Sequence, residues 1–330
     1  MKIFLVGDYK KNAGPCNVNK SLIYNSDKDM IYIKNESRLL KLLEIIYKGY
    51  SSDIIVVSGL FSNKIINLLK IFHKPLVYIM HGYAKYENEI NNLNADESLL
   101  NAEQKIFEYS DRILCVSENY SEWVKEKLPE FSYKISFLNN GVNIEVRAKK
   151  DKIKNSIAVS GGNRSIKNNV YVCEAIKKLN EENFDCSLNV FGKIKNNNDN
   201  FEAYPFVKLM GQMDKEEYYD ELDKISLFVL NSDIESFGLV VADAINCNCS
   251  LLVSSKVGAI SILNLTEDEI IYDNHDIDDI AEKIKALLEN SNSERLYKSL
   301  DIQSCSEMQA YINLKNICKN VLDFNRSFKQ

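Results

Sequence analysis

No apolar run in these 330 residues approaches the roughly 18 needed to cross a bilayer, so any membrane contact is expected to be peripheral. The opening segment, MKIFLVGDYKK, turns polar too early to read as a secretory signal. The eight cysteines contain no CxxC pair, and Cys115, Cys173, Cys186 and Cys318 fall inside apolar periodic segments. Reduced core thiols in a cytosol are therefore expected, with neither disulfide nor zinc. Basic charge is not in excess: 41 Lys and Arg stand against 47 Asp and Glu, a net −6 that argues against a nucleic-acid binder. The GxxxxGK[ST] and GxGxxG phosphate-binding patterns are absent. So are short-period repeats and long low-complexity segments, although KIKNNNDNFEA (193–203) reads as a mobile loop.

What is present is an ordinary soluble composition, 45% hydrophobic and 27% charged, in a length that suits about two domains at roughly 150 residues each. Charge is uneven along it. Residues 1–150 carry 21 Lys and Arg with 18 Asp and Glu, whereas residues 151–330 carry 20 and 29, so the halves are expected to meet different partners.

Short β-rich runs alternate with longer segments of helical period, the pattern of βαβ units on a parallel sheet. Strands are expected at Lys2 to Val6, Met30 to Ile33, Asp53 to Val57, Leu76 to Met80, Arg112 to Val116 and Lys134 to Phe137. The charged stretch EVRAKKDKIKN, after the turn NNGVN, has no apolar period and reads as an interdomain linker. The alternation then restarts at Ser156 and continues to the C-terminus. The expectation is an α/β chain with an N-terminal domain over 1–148 and a C-terminal domain over 149–330, the terminal helices packing back toward the first. Two doubly wound, Rossmann-like domains would face a central cleft, the default ligand site because such sheets bind beyond their strand C-termini.

Two segments carry chemistry. In IAVSGGNRSIKNN, Gly161 and Gly162 follow a strand, Arg164 and Lys167 come next, and a helix opens at Asn168 or Asn169. Close backbone approach, a helix N-terminus and two cations suit a diphosphate; a tight βα turn with solvated charges is the plain alternative. In LNSDIESFGLVVADAINCN, Glu235 sits in a loop after a strand, Gly238 at a helix start, and Asp243 within an otherwise apolar run. A carboxylate there needs a partner, and ligand hydroxyls or a lysine would serve. Six helical steps from Phe237 to Asp243 cover about 9 Å, comparable with a diphosphate, so Glu235 and Asp243 could hold the two ends of one nucleotide sugar.

SGGNRSIKNN followed by Glu235-x7-Asp243 resembles the retaining nucleotide-sugar glycosyltransferases of family 4, which have the GT-B fold and include bacterial polysaccharide-type enzymes. MHGYAKYENEIN (80–91), DRILCVSENYSEWV (111–124) and ISFLNNGVN (135–143) follow that family's order, so the resemblance covers essentially the whole chain. It implies that Arg164 and Lys167 bind the donor diphosphate, Lys167 the safer of the two because their spacing is shorter than in many members. Glu235 would take the sugar hydroxyls, and the amides of Phe237, Gly238 and Leu239 the sugar and phosphates. Asp243 stands where the family usually has a second Glu on the ribose, a side chain one methylene shorter. His81 would lie beside the transferred sugar, with a hydrogen-bonded core histidine as the plain reading. Gly14 and Pro15 match the Gly-rich loop near donor phosphate and acceptor, and Glu87 and Asn88 would form an acceptor wall in the loop beyond His81.

The implied protein is a cytoplasmic, retaining, metal-independent hexosyl- or N-acetylhexosaminyl-transferase. It would use a nucleotide-sugar, UDP-linked by preference, and no cofactor. His81, Lys167 and Glu235 would be its catalytic residues, a lipid-linked glycan its acceptor, and bacterial surface polysaccharide synthesis its setting. A non-catalytic partner or chaperone subunit, or a nucleotide-sugar epimerase, are the alternatives. The helix expected over Ser62 to Phe72 carries Lys64 and Lys70, with Lys74 just beyond, beside Ile65, Leu68, Leu69 and Phe72. It either packs on the sheet or rests on anionic lipid at the inner face of the plasma membrane.

Overall fold

A computed structural model describes residues 1–11, 13–90, 96–194 and 201–327. The chain divides into two compact units: Met1–Val142 together with the stretch from Gln303 on, and Asn143–Ile302. Most of the segment read as a mobile loop lies outside the described residues.

The first unit is a six-stranded parallel sheet of order β2-β1-β3-β4-β5-β6. Its strands are β1 (Ile3–Gly7), β2 (Met30–Tyr32), β3 (Ile54–Ser58), β4 (Leu76–Met80), β5 (Arg112–Cys115) and β6 (Ile135–Phe137). Every residue of β3 and β4 is buried, because helices cover both faces and leave no side of the strand for water. The connecting helices are α1 (Gly14–Tyr24), α2 (Arg38–Ser51), α3 (Asn63–Ile71), α4 (Ala84–Ile90), α5 (Glu97–Tyr109) and α6 (Glu118–Lys127). The short α4 was read as loop from sequence. Its N-terminal amides at Ala84 and Lys85 are taken by the Glu103 carboxylate from α5, at 2.7 and 3.0 Å, a cap supplied from a distant part of the chain.

The second unit repeats the plan with order β12-β11-β10-β7-β8-β9. Its strands are β7 (Ser156–Ser160), β8 (Ser187–Phe191), β9 (Val207–Gly211), β10 (Leu227–Leu230), β11 (Ser250–Ser254) and β12 (Ile270–Ile271). They alternate with α7 (Asn169–Glu181), α8 (Lys215–Leu222), α9 (Val240–Asn246), α10 (Ile277–Glu289) and α11 (Ser293–Ser299). The last helix, α12 (Glu307–Ser327), belongs to the first unit. There Tyr311 donates to Asp27 at 2.7 Å and Lys315 pairs with Asp27 and Asp29, which hold the Asp27 carboxyl down at about 2.

The charged stretch read as a linker is not a free tether. Arg147 donates its backbone amide to Asn246 and its guanidinium to buried Asp223, while Lys150 pairs with Asp220 and Asp223. Charge without apolar period looks like solvated chain in a sequence, but here the cations neutralise a carboxylate that would otherwise be buried unpaired. The division between units falls at Val142 and Asn143, not at 148 and 149. No helix among the described residues is long and apolar enough to cross a membrane. All eight cysteines are buried and unbridged.

Candidate active site

In the second sheet the chain runs from β7 out through β8 and β9, then returns to place β10 on the other side of β7. The loops after β7 and β10 therefore part in opposite directions at their carboxyl ends, the switch point at which open α/β sheets bind ligands. These loops carry the two motifs read from the sequence. They are joined by the Asp233 amide donating to the Ile166 carbonyl at 2.9 Å.

Gly161 and Gly162 both have positive φ, 90° and 63°. Space as well as conformation demands glycine. A Cβ at Gly161 would lie 2.9 Å from Lys167 Cγ and 3.2 Å from Arg164 Nη2, and one at Gly162 would collide with the Lys193 carbonyl. Both cationic side chains thus lie along the Gly161 backbone. Asn169, the first residue of α7, ties the turn down through Nδ2 to the carbonyls of Ser160 and Gly162, at 3.1 and 2.7 Å. Lys167 is 5% exposed, and its ammonium forms an ion pair with Glu235 from the β10 loop. A buried lysine needs such a partner, and the pair leaves further N–H donors on the ammonium. Arg164 is exposed, and its side chain makes no hydrogen bond or ion pair among the described residues.

Glu235 is set by backbone bonds to Lys256 and Gly258. Beyond it the chain turns at Gly238, φ 94°, and α9 begins at Val240, later than expected from sequence. The amides of Phe237, Gly238 and Leu239 have no backbone acceptor among the described residues, so they are available to an anion or hydroxyl. Next to this turn is a pocket of about 210 Å³ lined by Gly161, Phe191, Gln212, Met213, Tyr218 and Val240, among others. The Tyr218 hydroxyl on its wall is buried without a hydrogen-bond partner among the described residues.

Asp243, on α9, has no ion pair with a lysine among the described residues. Tyr219 donates to its Oδ1 at 2.6 Å. Burial pushes the carboxyl above the ordinary range, against the opposing effect of that bond. Its second oxygen has no hydrogen-bond partner among the described residues. If that oxygen binds a ribose diol, Asp243→Asn should raise donor KM several-fold and leave kcat nearly unchanged, the signature of lost uniform binding. The Tyr219 bond survives the change, so the apo melting temperature should hold while the UDP-induced shift shrinks. A lowered apo melt with an undiminished UDP shift excludes the ribose role.

In the first unit, His81 follows β4 and its Nε2 lies 2.8 Å from the hydroxyl of Ser58, which ends β3. Burial pushes the imidazole down to about 4, so the ring is neutral at physiological pH. Gly14 begins α1 with nothing within 4 Å of where a Cβ would stand. Glu87 and Asn88 are on α4 instead of in a loop, and Asn88 spends its Nδ2 on the Ala84 carbonyl of its own helix. Sequence reasoning missed Tyr218, Tyr219 and Ser58. The tyrosine doublet of α8 has no local mark, since its meaning comes from α9 and the β9 loop. Among the described residues no three His, Cys, Asp or Glu side chains cluster as metal ligands.

Residues 143–300 match the family model described as glycosyl transferases group 1. No curated protein sequence matches the chain. Among solved structures, Anabaena HepE in complex with UDP and glucose aligns with a TM-score of 0.68 at 12% identity, over 97% of this chain and 100% of that one. The lipopolysaccharide outer core galactosyltransferase WaaB, in its apo form, aligns with a TM-score of 0.63 at 14% identity, over 99% and 100%. The pneumococcal O-GlcNAc transferase GtfA in complex with UDP and GlcNAc aligns at 0.62 and 15%, over 84% of this chain and only 60% of its own. At such identities the likeness is one of fold. The second unit therefore carries the group 1 glycosyltransferase pattern, on a chain whose two parallel six-stranded sheets have the GT-B fold of these glycosyltransferases.

Proposed function

We propose that this chain is a retaining, metal-independent family 4 glycosyltransferase that moves a hexosyl or N-acetylhexosaminyl group from a UDP-sugar to a lipid-linked glycan in bacterial surface polysaccharide synthesis. The observation that carries this reading is the Lys167 and Glu235 pair at the β7/β10 switch point, beside free amides and the pocket under Tyr218. The pocket suits the base, and Asp243 a ribose hydroxyl. Lys167 and Arg164, both against Gly161, suit the diphosphate, and Glu235 the sugar hydroxyls. Charge develops on the diphosphate as the glycosidic bond breaks. Cations already fixed at that point stabilise it without reorganisation, the role a divalent ion plays elsewhere. Same-face attack, with the leaving phosphate taking the acceptor proton, accounts for retention. Neutral His81, in the first unit, suits a hydrogen-bonding role and not proton transfer. UDP is favoured over other nucleotides by the complexes of HepE and GtfA.

Incubation with a panel of UDP- and GDP-sugars, with and without EDTA, followed by nucleotide diphosphate and anomer analysis, tests the reading. UDP release that persists in EDTA is expected. A strict Mg²⁺ or Mn²⁺ requirement removes metal independence. Donor binding without turnover points to a non-catalytic partner subunit, and free sugar isomers without acceptor to an epimerase.

A further inference from the structure

The terminal torsion of an aspartate is broad and roughly two-fold, so a carboxylate that is to meet a ligand hydroxyl in one direction has to be held there. Asp243 is held from α8. The Tyr219 hydroxyl donates to Oδ1 at 2.6 Å, which fixes the plane of the carboxylate and leaves Oδ2 without a hydrogen-bond partner among the described residues. Tyr219 is itself only 9% exposed, so whatever clamps its ring also clamps the bond.

Two cations do so. The Arg147 guanidinium carbon lies 5.2 Å from the centre of the Tyr219 ring and the Lys215 ammonium 5.5 Å, both within cation–π reach. Arg147 is fixed in turn: its Nε donates to Asp223 at 3.0 Å and its Nη2 to Asp220 at 3.3 Å. Its backbone is tied to the far end of the helix that carries Asp243. The Arg147 amide donates to the Asn246 carbonyl at 2.7 Å, and the Arg147 carbonyl accepts from Asn248 Nδ2 at 3.2 Å. The charged stretch after Val142, α8 and the end of α9 thus brace one carboxylate, all within the second unit. Neutralising buried Asp223 does not require Arg147, because Lys150 pairs with the same carboxylate at 2.9 Å.

We infer that Tyr219 is a positioning residue for the donor, aiming Oδ2 of Asp243 at the ribose diol, and that Arg147 holds Tyr219 in that role. The inference rests on the UDP-sugar reading of the site proposed above. It gives the stretch after Val142 an influence on donor affinity although none of its residues needs to touch the donor. The Tyr219 bond also bears on charge. Burial raises the Asp243 carboxyl, and the Tyr219 bond and then Lys215 oppose that rise. Tyr218, beside Tyr219, and Cys247, one turn along α9, are pushed up by burial and stay neutral. Ribose hydroxyls donate best to an ionised carboxylate, so UDP affinity should fall as pH drops through the Asp243 titration. Without the Tyr219 donor that titration moves up, and the fall begins at higher pH.

Calorimetric titration of the full chain with UDP across about pH 5 to 8 tests this and reads binding without catalysis. Asp243→Asn cannot titrate in this range, so it supplies the baseline set by the ionisation of UDP itself. Above that baseline, Tyr219→Phe should weaken UDP at neutral pH at least about fivefold and shift the acid limb to higher pH. Arg147→Gln should weaken it by about threefold, with the apo melt near the parent because Lys150 still pairs with Asp223. That variant leaves both Tyr219 and Asp243 intact, so it carries the test even where loss of the hydroxyl unfolds the unit. A Tyr219→Phe chain that melts lower yet binds UDP like the parent, with an unmoved acid limb, overturns the inference and makes Tyr219 a structural partner only. Arg147→Gln binding like the parent removes Arg147 from the role. A parent chain that fails to bind UDP at any pH removes the donor reading itself, and this inference with it.

Discussion

Lys167→Ala should lower kcat/KM at least about tenfold. A charge-assisted hydrogen bond contributes about 1.5 to 3 kcal/mol, and each 1.4 kcal/mol of lost transition-state stabilisation is about a factor of ten. The ion pair with Glu235 complicates the simple reading, because removing the ammonium also strands a carboxylate near the incoming diphosphate. Adding Glu235→Asn would alter both shape and charge, whereas Glu235→Gln removes only the charge and so separates the two effects. If repulsion by the stranded carboxylate were the whole cause, the Lys167→Ala, Glu235→Gln chain would recover the parent rate; it is expected to remain impaired. Turnover by Lys167→Ala within about a factor of two of the parent would remove Lys167 from the diphosphate.

Gly162→Ala should be the most damaging single methyl in the second unit. Its φ of 63° is left-handed, and the new Cβ would meet the Lys193 carbonyl, a backbone atom that cannot swing aside. Strain in that region costs about 1 to 3 kcal/mol and overpacking a similar amount, so a loss of about 3 kcal/mol is expected. The melting temperature of the unit should fall by roughly 5 to 10 °C. Relief of the clash must also displace Gly161, along which Arg164 and Lys167 lie, so UDP should bind more weakly than to the parent. Gly14→Ala is the control: its φ is not positive and the space around it is open. A differential melt of the two variants checks the argument, and Gly162→Ala melting with the parent would refute it.

The alternation of apolar runs made most of the fold legible, because a buried parallel strand shows as a compact β-branched run wherever it later pairs. α4 escaped because its stabilising cap, Glu103, comes from α5 and its own seven residues carry little helical pattern. The Gly161 to Lys167 segment was legible because a positive φ next to cations leaves a mark within a few residues. Tyr219 was not, since the bond that orients Asp243 joins residues 24 apart in the chain and nothing near either one announces it.

The sequence by itself determined the class of fold, the positions of the tight glycine turns and the charge difference between the halves, all of which rest on neighbours along the chain. Only the tertiary structure decided that Lys167 pairs with Glu235, since that depends on β10 returning to lie beside β7. It also decided that the charged stretch after Val142 is anchored to Asp220 and Asp223. Direction was likewise a tertiary matter. Periodicity shows that α2 and α3 each have an apolar side, but not which way it faces; the sheet takes that of α3 and leaves most of that of α2 outside.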